Sequence, residues 1–183
     1  DGKPLPRVYR ISDERAVSFR FLDAMNTLRA AKSLPPVAFD ANLNAAAATH
    51  ARDMSVQNRP WHFGSDGSSP LLRVQRVGYT GTLLGELISE TYETEIETLS
   101  VWMQSPDQRQ VLLDPRMTEI GLSWYQESNG KIWWTLVTGA GLPGAAMAGM
   151  GAPAFGVAPA PGAFAPAGAG IAPGTGAVIG GTL

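Results

Sequence analysis

The chain contains no cysteine in its 183 residues. That excludes disulfides, zinc–thiolate sites and a cysteine nucleophile together, without fixing a redox compartment. Histidine is nearly as scarce, with only His50 and His62. A basic surplus is missing too: 14 Lys and Arg stand against 16 Asp and Glu, for a net charge of −2. Such a balance gives no electrostatic grip on nucleic acid or an anionic membrane. No apolar run is long enough to span a bilayer. No basic-then-apolar leader opens the chain, and "DGKPLP" reads as either a mature end or an arbitrary boundary, so localisation is not legible there.

Charge is also distributed unevenly. Every Lys, Arg, Asp and Glu lies before Ala140, and 140–183 is almost wholly Gly, Ala and Pro with scattered apolar residues. Glycine raises the entropy cost of ordering and proline removes backbone donors. With no helical or strand period, this stretch reads as a low-complexity tail or spacer. Phe155 and Phe164 offer an alternative, docking of the tail onto a groove of its own domain or a neighbour. The folded domain is therefore expected over 1–139.

Within it the elements are legible. Ser12 or Asp13 can cap a helix from Glu14 to about Lys32, with Val17, Phe21, Met25 and Leu28, and Ala24 and Ala31, on an inward stripe. "SLPP" breaks it, and Asp40 caps a second helix from Ala41 to about Gln57. Leu43, Ala46, Ala47, His50, Ala51 and Met54 share one face there, which makes His50 a packing residue. "SSP" opens a short helix near Leu71–Val77, and "GTLLGELISETY" is ambiguous but partly extended. "TEIE" fits a capping box at Thr94 and Glu97, starting a helix that ends at Ser105-Pro106. Two strands, about 119–126 and 131–138, are joined by a turn containing Asn129-Gly130, a strong hairpin signal. The expected fold is α+β, an α-β-α sandwich with a small antiparallel sheet covered by helices.

Three stretches carry candidate chemistry. In "PWHFGSDG", His62 lies outside any periodic face, between Trp61 and Phe63, while Asp66 can form an Asx turn that holds the loop. In "LLGELIS", Glu86 interrupts an apolar run. A buried carboxylate needs a partner, and a histidine or a helix amine end is the natural one. "SPDQRQ" presents Asp107, Gln108 and Arg109 at a new helical turn, where Arg109 can pair with a carboxylate elsewhere.

Taken in order, these stretches resemble the bacterial CAP domain (SCP-like; cysteine-rich secretory/antigen 5/pathogenesis-related 1). "LDAMNTLRAAKSLPPVAFDANLNAAAATHARDM" is similar to its Asn-x-x-Arg opening and Asp-capped Ala-rich helix. "WHFGSDGSSPLLRVQRVGY" resembles its His-x-Gly-x-Asp-Gly segment, and "GELIS" its Gly-Glu-Asn-Ile-Ala. "VWMQSPDQRQVLLDPRMTEIGLSW" and "WWTLVTG" resemble its closing motifs. The resemblance spans about Phe21 to Gly139. It implies an exported protein, secreted or periplasmic, whose cleft gathers a histidine, a glutamate and a second histidine. Here His62 and Glu86 occupy the first two places, Gln108 stands where the second histidine would be, and Leu87 replaces the usual asparagine.

Glutamine is a poor zinc ligand, and a zinc site wants at least three good ones. No tight metal site or other cofactor is therefore expected, only a weak divalent cation; Asp66 or Glu90 could in principle add a ligand. The favoured expectation is a monomeric binding module whose groove is lined by His62, Glu86, Gln108, Trp61, Phe63 and Tyr79. Its ligand would be a small molecule, cell-wall material or a protein. Two alternatives stand beside it. One is a hydrolase, metal-dependent or not, with His62 as base oriented by Glu86. The other is a scaffold whose tail mediates assembly.

Overall fold

The computed structural model describes residues 8–143. The tail, with both its reading as a spacer and the alternative docking of Phe155 and Phe164, lies outside the described residues apart from its first positions.

Helix α1 spans Glu14–Ala30, and Asp13 is its cap, accepting from the Ala16 amide at 2.9 Å. Val17, Phe21 and Met25 are buried as their spacing requires, but Ala31 closes the helix on its exposed side instead of extending the stripe. Strand β1 is a two-residue piece, Ala38–Phe39, which the sequence did not announce. Helix α2, Ala41–Gln57, is capped by Asp40 and buries the face anticipated for it, His50 included. Helix α3, Pro70–Arg76, starts at Ser69, whose hydroxyl accepts from the Leu72 amide. The ambiguous stretch becomes strand β2, Thr82–Glu90. Thr94 caps α4, Glu95–Gln104, through the Glu97 amide. Helix α5 is Pro106–Leu112. Strands β3, Glu119–Gln126, and β4, Ile132–Ala140, form the hairpin. Its turn holds Gly130 at φ 98°, a conformation that favours glycine.

The sheet order is β1-β3-β4-β2, and β2 is an outer strand. It is antiparallel except where β1 pairs parallel with β3, a mixed edge on the expected antiparallel sheet. Strand β4 runs through the centre and is buried on both faces. Ile132, Trp134 and Leu136 join the core under α1, α4 and α5, while Val137 joins Leu43, Ala46, Ala47 and Val74 under α2 and α3. This alternation with period two, met by helices on each side, makes an α-β-α sandwich.

Close approach explains one glycine. A Cβ at Gly121 would fall on the backbone of Leu43 and Asn44, so its absence lets α2 lie directly against β3. Asn44 then fixes the contact by accepting from the Leu122 amide at 2.9 Å. Arg29 is fully buried and donates to the carbonyls of Pro35, Leu112, Asp114 and Met117. The Asn-x-x-Arg pair is thus a clasp: Asn26 and Val37 exchange two hydrogen bonds, and Arg29 ties α1 to the turn before β3.

Candidate functional site

The alternation of β2 places Glu86 on the α2–α3 side of the sheet, while Gly85 and Leu87 face α5. A Cβ at Gly85 would press on the Val111 side chain, so the glycine lets α5 sit close to this outer strand. Glu86 is sunk between α2, α3 and the loop after α2, its side chain only 2% exposed. A carboxylate there needs strong compensation. Arg73 of α3 supplies it: its Nη2 donates to Oε1 at 2.9 Å and to Oε2 at 2.7 Å. His62 Nδ1 lies 2.9 Å from Oε1. With that nitrogen donating to Glu86, the other ring nitrogen is left as an acceptor on the opposite edge of the imidazole. The His62 side chain is half exposed.

His50 closes the cluster from α2. Its Nε2 donates to the Trp61 carbonyl at 2.8 Å and stands 3.6 Å from Glu86 Oε1. Burial lowers its pKa, with Glu86 opposing and Arg73 reinforcing the shift, so the ring is held neutral. It is a packing residue, as its place on the apolar face implied, and it also supports the loop that carries His62.

That loop is fastened at several points. Asp53 accepts from the Ser65 amide and hydroxyl, both at 2.6 Å. Arg73 donates to the Ser68 carbonyl at 2.9 Å and to the His62 carbonyl at 3.0 Å. Asp66 forms the expected Asx turn with the Ser68 amide, and Ser68 and Arg76 hold its carboxyl well below the ordinary range. Sequence reasoning missed Arg73 and Asp53. A signal existed for each: an arginine in the first turns of a short helix after the histidine loop, and the aspartate before Met54.

His62, Leu87 and Ile88 line a hollow of about 220 Å³ together with Asp107, Gln108 and Val111 of α5. The imidazole and the Gln108 amide therefore share one wall system, with Glu86 behind the histidine. Gln108 is half-buried and has no hydrogen-bond partner among the described residues.

The other groove residues lie elsewhere. Trp61 donates to Gln57, packs against Phe63 at 5.6 Å, and carries the Arg59 guanidinium 3.9 Å from its ring centre. These two aromatics flank the His62 loop without lining the hollow. Tyr79 departs further from expectation: it packs with the α2 core cluster and its hydroxyl donates to Glu119 at 2.7 Å. Burial and that carboxylate push its pKa up. It is tied to the sheet because the chain after α3 must cross there to reach β2. Glu90 pairs with Lys131 and Asp66 with Arg76, so neither is offered as a ligand at His62. Arg109 donates to the Met103 carbonyl at 3.2 Å, sealing the end of α4 where a carboxylate partner was expected.

Residues 22–138 match the cysteine-rich secretory protein family, CAP. The chain belongs to the CAP family. It is 27% identical over 122 residues to YkwD of Bacillus subtilis (strain 168), a match covering 67% of this chain and 47% of that protein. The chain thus spans about half the length of that relative. Among solved structures it is similar to an outer surface protein of Borrelia burgdorferi. The TM-score is 0.66 at 17% identity, over 72% of this chain and 97% of that one. It is also similar to an extracellular protein containing an SCP domain from Bacillus anthracis. There the TM-score is 0.61 at 24% identity, over 67% of this chain and 39% of that one.

CAP membership raises the question of a metal, and the residues present do not fit a tight site. Both Glu86 oxygens are held by a guanidinium, and His62 turns one nitrogen toward that carboxylate. Gln108 brings an amide where an imidazole is needed. Among the described residues, no group of three or more His, Asp or Glu side chains is gathered so as to hold an ion.

Proposed function

We propose that this CAP domain is an exported, monomeric binding module whose hollow at the outer edge of β2 recognises a small polar ligand through His62 and Gln108. The observation that carries the reading is the His62–Glu86 contact at 2.9 Å beside a Gln108 amide with no partner among the described residues. Glu86, neutralised by Arg73, orients the imidazole so that one nitrogen is free to accept, while the Gln108 amide can donate or accept. Leu87, Ile88 and Val111 supply apolar wall, the usual make-up of a small-ligand site. No bound metal is required. An extracellular setting is in keeping with the outer-surface and extracellular proteins that share the fold, and with the lack of any helix among the described residues long and apolar enough to cross a membrane.

One observation favours a second reading. An imidazole oriented by a carboxylate is half of a general-base device, and a hydrolase would use it to activate water or a hydroxyl. The described residues lining the hollow include no serine, threonine or cysteine for the base to activate.

The test is NMR of the His62 ring during titration with a soluble muropeptide, a cell-wall fragment rich in polar groups. Saturable ring shifts are expected, with affinity about tenfold weaker in Gln108→Ala, the cost of one lost hydrogen bond. Zinc titrations on wild type and His62→Ala run alongside. Sub-micromolar zinc binding abolished by that substitution, or ester or peptide turnover lost with it, would overturn the binding reading.

A further inference from the structure

Strand β2 lies at the rim of the sheet, beside the His62 hollow, and its main chain is not fully used. Residues of an antiparallel strand turn their N–H and C=O groups alternately toward the partner and away from it. The phase is fixed just past β2, where the Thr91 amide donates to the Ile132 carbonyl at 3.0 Å. With Leu87 opposite Leu136 and Ser89 opposite Trp134, residues 87 and 89 bond to β4. Glu86, Ile88 and Glu90 therefore turn their main-chain groups outward. The Ile88 carbonyl agrees with this phase, since it accepts from Trp102 Nε1 of α4 at 3.2 Å. The Ile88 N–H and the main-chain N–H and C=O of Glu86 have no partner among the described residues.

An open strand rim is ordinarily guarded by proline, lysine, a bulge or a covering segment. The nine residues of β2 include neither proline nor lysine. Its bulge lies at the far end, between Leu83 and Gly85. Glu86 is turned inward to Arg73 and Glu90 is paired with Lys131, so both carboxylates are neutralised. The hollow straddles this rim: His62 bounds it on the α2–α3 face, Asp107, Gln108 and Val111 on the α5 face, with Leu87 and Ile88 between. At about 220 Å³ it is smaller than a usual small-molecule pocket, which suits a chain passing through it. Asp107 is exposed and makes no ion pair or hydrogen bond among the described residues.

We infer that the ligand of the His62 hollow is an extended peptide that adds a short strand to the rim of β2; this rests on the binding reading of that hollow. The peptide main chain accepts from the Ile88 N–H and exchanges hydrogen bonds with Glu86, as peptides do when they extend a sheet. Side chains on the added strand alternate between the two faces. The residue opposite Leu87 faces Asp107 and Gln108, and those opposite Glu86 and Ile88 face His62. A lysine or arginine suits the first place by charge, and a serine or threonine hydroxyl suits the accepting nitrogen of the imidazole. A ligand with no main chain of its own would leave the Ile88 and Glu86 groups unused.

The probe is acetyl-Val-Thr-Lys-Thr-Val-amide, followed by amide NMR and hydrogen exchange of the full chain, beside the muropeptide titration. At saturation the Ile88 and Glu86 amides should exchange at least about tenfold more slowly. N-methylation of both peptide threonines should weaken binding about tenfold or more. A glutamate in place of the lysine should weaken it at least about threefold, and Asp107→Asn should erase that preference. Ile88→Pro removes only an outward N–H and should weaken the peptide too; the N-methylated peptide makes the same test on the unaltered protein. An unprotected Ile88 amide, equal binding of plain and N-methylated peptide, or no preference for lysine over glutamate would each overturn the inference. So would Ile88 protection that rises with protein concentration alone, which would make a second copy the occupant. If the muropeptide shifts the His62 ring while the peptide leaves Ile88 unprotected, the rim assignment fails and the binding reading stands. If neither molecule moves the His62 ring, both fail.

Discussion

Arg73 is the residue on which the His62 site stands, and its removal gives a test with a calculable size. The guanidinium is 4% exposed and Glu86 2% exposed, so Arg73→Met leaves a carboxylate out of reach of water. His62 remains beside it, itself half exposed, and the Ser68 and His62 carbonyls each lose a donor. Breaking a buried pair from one side costs roughly 3–5 kcal/mol, because the surviving charge keeps its desolvation penalty. At roughly 3–5 °C per kcal/mol for a domain of this size, the melting temperature should fall by about 10–20 °C. Adding Glu86→Leu removes the stranded charge and replaces it with a side chain of similar bulk. The double variant should then be more stable than Arg73→Met alone by about 2 kcal/mol. Recovery stays incomplete because the two carbonyls are still unpaired. Urea melts of the four proteins complete the cycle. If Arg73→Met costs less than about 1 kcal/mol, or the two substitutions simply add, the buried pair is not what holds this site together.

Two further outcomes follow from the packing and the titrating groups. Gly121→Ala should destabilise by at least about 2–3 kcal/mol, because the new methyl meets helix backbone, which cannot rotate aside; a change within about 0.5 kcal/mol in a urea melt would refute the direct α2–β3 contact. His50 is buried neutral, its folded pKa depressed below the unfolded value of about 6.5. Its contribution to stability is therefore full above about pH 6.5 and is lost as pH falls toward the folded pKa, since only the unfolded chain takes up the proton. Asp114 and Glu127, also depressed, act at lower pH, where carboxylates protonate. His50→Gln, which can still donate to the Trp61 carbonyl, should flatten the stability curve between about pH 6.5 and 5 relative to wild type. Parallel curves for the two proteins would count against a neutral buried His50.

Whatever depends on short-range pattern could be read from the order of residues. Capping residues, a 3.6-residue apolar stripe and an Asn-Gly turn act through neighbours in the chain, so α1, α2 and the β3–β4 hairpin were legible from local chemistry. The His62–Glu86 pairing was legible only because the order of motifs resembled a known family; nothing local joins residues 24 positions apart. Strand β2 was obscured because its two faces meet different layers, which mixes Leu, Gly and Glu in one run. The fate of the charged residues, by contrast, was set when distant segments came together. Arg29 and Arg73 look like ordinary surface cations in sequence, yet each is drawn inward by unpaired carbonyls or a buried carboxylate that the chain brings from far away. The same long-range closure pulled Tyr79 to Glu119 and away from the hollow, and left Arg52 without a partner among the described residues. Pattern chooses which elements form. Which polar groups end up satisfied is decided when the layers close on one another, because a hydrogen-bond partner is defined by distance in space and not along the chain.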